Sequence, residues 1–173
     1  MKRAAALLAL VLTGCTPTQP TPTTVATTRD TPQSAAIAAR FTDEIWPAVS
    51  QYGPYQAASN KLRAVVDPDA DWDALTGVIE AFGGAGYDAA TKVRRTADDP
   101  RLVTANVTGV SDSKATVTAC YSYAYAEFVN IADKHTQDRT SQVAAELSNT
   151  NHGWYLHALT NDHVVPSCQS DKA

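Results

Sequence analysis

Between Ile37 and Phe82 apolar residues recur every three or four positions, and after Pro100 they recur every two. Ile37, Phe41, Ile45, Val49 and Tyr52 trace one face of a helix, because residues three and four apart stack on the same side of a coil with about 3.6 residues per turn. Pro47 falls inside that run and is expected to kink or end it, since it donates no backbone hydrogen bond and crowds the preceding turn. Tyr55, Ala58, Leu62 and Val65 predict a second helix after Pro54. Trp72, Leu75, Val78, Ile79 and Phe82 predict a third, capped by Asp71 and stopped by Gly83-Gly84. Ala85 to Arg95 is read as one further short helical segment.

Beyond Pro100, Val103, Ala105 and Val107 alternate with Thr104, Asn106 and Thr108, the pattern of a strand with one buried face. "VSDSKA", 110 to 115, is a hairpin turn, followed by the long strand "TVTACYSYAYAEFV". "DKHTQDR" reads as a charged loop. Ser141 to Leu147 and Gly153 to Leu159 are two further strands, separated by the turn "SNTNHG". Helices first and antiparallel strands afterwards make an α+β domain, residues 34–173, of a size for a single core.

The first third of the chain has neither pattern. Lys2 and Arg3 precede an unbroken apolar run, Ala4 to Leu12, of signal-peptide length and too short to span a bilayer of roughly 30 Å. Leu12, Thr13, Gly14 and Cys15 resemble the lipobox of bacterial lipoproteins. That resemblance implies diacylglycerol on the Cys15 thiol, removal of residues 1–14, and a protein held at the extracytoplasmic face of a cell membrane. Residues 16–33 hold eight Thr and four Pro and cannot bury a core, so with Cys15 they read as a disordered stalk, 15–33, reaching roughly 55 Å at full extension. Such tracts resemble O-mannosylated segments of actinobacterial secreted proteins. The formal charge of −4 becomes −6 once Lys2 and Arg3 leave with the signal, and without a basic patch nucleic-acid binding is poorly supported.

"ATVTAC" in the long strand, "GWYL" opening the last one and the late Cys168 resemble the NTF2-like, or cystatin-like (SnoaL-type), domains of many actinobacterial lipoproteins. The resemblance covers about residues 34–168 and implies a curved antiparallel sheet wrapped around the N-terminal helices. Of three cysteines only two can pair. With Cys15 read as the anchor, Cys120 and Cys168 in an exported chain are expected to be bonded, the alternative being two buried thiols.

Tyr121, Tyr123 and Tyr125 alternate along the long strand and are expected on one face, with Val117 and Ala119. On a concave sheet they would line a pocket for a small apolar ligand. Resemblance to the ketosteroid isomerases and dehydratases of the NTF2-like superfamily would make their phenols, with an Asp or a His, candidates for polarising a substrate oxygen. The alternative is that the rings pack against the helices and fill the core. His152, His157 and His163, with Asp162, are close in sequence but match no compact zinc signature, so no metal site is assigned. His135 beside Asp133 or Asp138 would be a base in a charged loop. "FGGAGYD" lacks the preceding strand of a nucleotide-binding loop and no GxSxG elbow occurs, so no cofactor is assigned.

These readings favour a noncatalytic, membrane-anchored interaction or accessory module with an envelope protein as partner. The alternatives are a carrier or sensor of a small apolar ligand, a phage- or prophage-encoded lipoprotein that excludes superinfecting phage, and an isomerase or dehydratase.

Overall fold

The computed structural model describes residues 31–53, 55–82, 93–95, 100–130 and 133–168, with the side chains of 93–95, 125–130 and 133–135 outside that description. The signal, Cys15, the stalk up to Asp30, Pro54 and the Gly83-Gly84 stop lie outside the described residues.

The helical layer begins inside the Thr/Pro tract. Thr31 caps helix α1 (Pro32–Arg40), its Oγ1 accepting from the Ser34 N–H at 3.2 Å, with Pro32 in the first turn where its missing donor costs nothing. The chain continues through a π turn, Phe41–Ile45, into α2 (Trp46–Ser50) as one helical path. The strict four-residue spacing of Ile37, Phe41, Ile45 and Val49 would drift around a regular α-helix. The wider turn, in which the Trp46 N–H reaches the Phe41 carbonyl, absorbs that drift and leaves all four side chains fully buried. It also places Pro47 in the first turn of α2, so the proline does not end the helix as its position suggests. Helix α3 (Gln56–Arg63) and helix α4 (Trp72–Glu80) follow, the latter capped as expected by Asp71, whose Oδ1 accepts from the Ala74 N–H at 3.0 Å.

The strands are β1 (Val93–Arg95), β2 (Arg101–Val110), β3 (Lys114–Asn130), β4 (Asp133–Thr150) and β5 (Gly153–Val165). All pairings among them are antiparallel, and the sheet is four strands wide, because β1 and β2 lie one after the other along the same edge of β3. Helix-like spacing in 85–95 is thus overridden at its end: Val93–Arg95 pairs with Tyr125–Glu127, the stretch of β3 that β2 leaves unpaired. "DKHTQDR" is likewise strand, not loop. It continues β4 against the far half of β3, with Thr136, Gln137 and Asp138 exposed, so its backbone is satisfied without the apolar alternation that marks a half-buried strand.

The curved sheet wrapped around the helices, which the NTF2-like resemblance implies, is not what this chain forms. The sheet is open, neither curled nor closed on itself. Sheets curl where bulges or glycine kinks bend neighbouring strands together. Here the central β3–β4 ladder runs from Lys114↔Ser148 to Phe128↔Lys134 without a shift, and within that span bulges occur only in the outer strands. One of them, at Val103, moves that residue off the buried face expected for it and leaves it 49 % exposed, while Leu102 packs on the core instead.

The core fills the space between the helices and one face of the sheet. Val117, Ala119, Tyr121 and Tyr123 of β3 and Val143, Ala145 and Leu147 of β4 meet Ile37, Phe41, Ile45, Leu62, Leu75 and Phe82.

Candidate functional site

The tyrosine-bearing face is covered by aromatic rings. Tyr121 is fully buried, with its centroid 5.3 Å from Trp46, 5.1 Å from Phe82 and 5.7 Å from Tyr123. Its hydroxyl donates to Asp162 Oδ1 at 2.7 Å, and the Tyr123 hydroxyl accepts from the buried Ser141 Oγ at 3.3 Å. Trp46 also stacks on Phe82 at 6.0 Å, and its buried Nε1 has no hydrogen-bond partner among the described residues. Tyr125 lies in β3 opposite Gln137 and its side chain is outside the described residues. Asp162 reaches Tyr121 because β5 carries an extra residue opposite Val143, where Asn161 has a φ of 56°. A bulge re-aims the residues beyond it, and Asn tolerates the left-handed backbone this one uses.

Cys120 and Cys168 are bonded, with Cα atoms 5.6 Å apart. Cys120 points away from the tyrosine face, and after β5 the tail crosses β4 to reach it, with Thr140 Oγ1 donating to the Val165 carbonyl at 2.8 Å on the way. The bond therefore staples strands two apart in the sheet.

A second polar cluster stands at the β5 edge. Val65 to Asp67, linking α3 to α4, lies along β5: the Leu156 N–H reaches the Val65 carbonyl and the Asp67 N–H the Leu156 carbonyl, both at 2.8 Å. A second bulge, at His157, turns the imidazole towards this link, and His157 Nδ1 stands 3.1 Å from Asp67 Oδ2. Asp67 Oδ1 accepts from the Asp69 N–H at 3.0 Å. Burial raises the Asp67 pKa, but the hydrogen bonds from the Asp69 N–H, the Ser148 hydroxyl and His157 outweigh it and hold the carboxyl below its ordinary value. Ser148 serves the carboxylate, so Asp67, His157 and Ser148 are not arranged as a nucleophile relay, in which the hydroxyl would face the imidazole. His157 also lines a cleft of about 50 Å³ with Lys114, Thr116, Glu146 and Ser148.

A carboxylate with a depressed folded-state pKa stabilises the fold above the unfolded value of about 3.9, and that contribution disappears as the pH falls through the folded value. Asp67→Asn is therefore expected to cost about 1–3 kcal/mol at pH 7. The gap from wild type should narrow as urea titrations are moved below about pH 4. A gap that stays constant with pH would show that the charge of Asp67 does not contribute.

The other histidines do not converge. His152 is in the β4–β5 turn, exposed His163 Nδ1 lies 2.7 Å from the Asn161 carbonyl, and His135 is in β4 opposite Glu127. Among the described residues no group of three or more His, Cys, Asp or Glu side chains is placed to hold a metal ion, and no helix is long and apolar enough to cross a membrane. Sequence reasoning missed Asp67, Ser141, Ser148 and Glu146. The signal for Asp67 was local, an Asp-Pro-Asp turn directly after the apolar Val65-Val66 pair.

No family model matches the chain, and no curated relative does. Among solved structures it is similar to the intermembrane-space region of the chloroplast protein ARC6, with 19 % identity and a TM-score of 0.42 over 77 % of this chain and 97 % of that one. It is also similar to an NTF2-like protein with a cystatin-like fold from Novosphingobium aromaticivorans, with 18 % identity and a TM-score of 0.39 over 79 % of this chain and 92 % of that one. The resemblance to NTF2-like, cystatin-like proteins is distant and partial, and it concerns fold alone.

Proposed function

We propose that the chain is an exported lipoprotein, anchored through Cys15, whose α+β domain works as a noncatalytic interaction or accessory module through its outer surface. The observation that carries this reading is the aromatic cover on the tyrosine face. Trp46 and Phe82 occupy the space against Tyr121 that a carrier or an isomerase would keep for its ligand. The Cys120–Cys168 bond supports export, because structural disulfides persist in oxidising compartments and are rare in reducing ones. The signal-like segment ending at Cys15 supports the anchor.

Cys15→Ser tests the anchor. Lipidation precedes cleavage, so the variant should accumulate as uncut precursor and lose acyl-chain labelling. Processing and membrane retention equal to those of the wild type would contradict the proposal.

A further inference from the structure

The geometry points to a site for a neutral polyol, a vicinal hydroxyl pair on one edge of a sugar ring, in the outer-face cleft between His157, Glu146 and Lys114. Three features carry it. The first is the orientation of His157. Asp67 is 7 % exposed, its carboxylate is anionic at neutral pH, and a carboxylate only accepts, so the 3.1 Å contact fixes the proton on His157 Nδ1. Among the described residues Nε2 has no partner. The bulge and the link at Val65 to Asp67 thus hold one imidazole in a fixed orientation at a cleft wall.

The second feature is the composition of the wall. The cleft combines the His157 imidazole with the Glu146 carboxylate, the Lys114 ammonium and the Thr116 and Ser148 hydroxyls. Among the described residues neither Lys114 nor Glu146 has an ion-pair partner. A diol needs both kinds of partner, since each hydroxyl donates once and accepts as well. A simple anion would meet Glu146 and, behind the imidazole, Asp67. An apolar group would find few contacts there.

The third feature is size. About 50 Å³ holds roughly three to five water-sized groups, given the ~10–15 Å³ that one water needs by this measure. That admits the hydroxyl edge of a pyranose and leaves the ring outside. Affinity should be weak, with Kd on the order of 1–10 mM for a monosaccharide. The site does not depend on lipidation or export.

The test is a titration of the isotope-labelled full chain in phosphocholine micelles with methyl β-D-glucoside, followed by NMR at pH 7. Saturable shifts are expected at Lys114, Glu146 and His157. They should weaken at least fivefold in Glu146→Gln, whose exposed side chain has no described structural partner. In His157→Gln, which keeps an amide donor for Asp67 but removes the second ring nitrogen, the shifts should weaken as well. The proposal is overturned by no saturation up to about 100 mM, by shifts unchanged in Glu146→Gln, or by acetate binding at the same residues more tightly than the glucoside, which would make it an anion site.

Discussion

Tyr121→Ala is expected to destabilise the domain by about 4 kcal/mol, at the level of a buried aromatic truncated in a close-packed core. The ring is fully buried, lies within 5.7 Å of three other ring centroids and ends in a 2.7 Å hydrogen bond to Asp162. Removing it opens a cavity among rings held by α2, by the residues just after α4 and by the neighbouring Tyr123 of β3, which sit on separate elements and cannot close it together. Tyr121→Phe separates the two contributions. It keeps the packing and removes the hydroxyl, and should cost about 1–2 kcal/mol. Urea denaturation of both variants checks this. A Tyr121→Ala penalty below about 1 kcal/mol would mean that the ring faces space instead of neighbours.

Opening the disulfide should have an effect of similar size. For a sequence separation of 48 residues the chain-entropy model gives about 4 kcal/mol, lost when Cys120 and Cys168 are both replaced by Ser. At ~3 °C per kcal/mol for a domain of this size, the melting temperature should drop by roughly 12 °C. The staple joins β3 to the tail beyond β5, so the double variant should also lose amide protection first around Thr140 and Val165, where the crossing tail is hydrogen-bonded. Calorimetry and hydrogen exchange read the two effects separately. A melting temperature unchanged by the double substitution would show that the tail is held without the bond.

The parts of this molecule legible in the sequence are those where one periodicity meets one buried face. Ile37, Phe41, Ile45 and Val49, the Asp71 cap, and the alternation that sends Tyr121 and Tyr123 inward are of this kind. Readings failed where backbone pairing overrode side-chain pattern. Val93–Arg95 and the charged start of β4 are strands because β3 extends beyond β2 and offers a ladder to pair with, a long-range condition that no local window contains. The bulges at Val103, His157 and Asn161–Asp162 were equally hidden, because one extra residue in an outer strand leaves composition unchanged while reversing which face each later side chain occupies. Both polar clusters depend on such bulges, which is why Asp162 and His157 were noticed as residues but not with their partners. The expected curl failed for a related reason. It came from resemblance, whereas curvature is set by where bulges and kinks fall along the central ladder, and β3–β4 has none between Lys114 and Phe128.

The account stands on the filled space between the tyrosine face and the helices. Its most direct test is a high-resolution crystal structure of the full chain purified from its own host, with any native ligand retained. The account predicts the Tyr121 and Tyr123 rings in contact with each other, Trp46 and Phe82 against Tyr121, and no density between them. An enclosed volume of a few hundred Å³ there, holding a bound molecule, would contradict it and return the domain to the carriers or the enzymes.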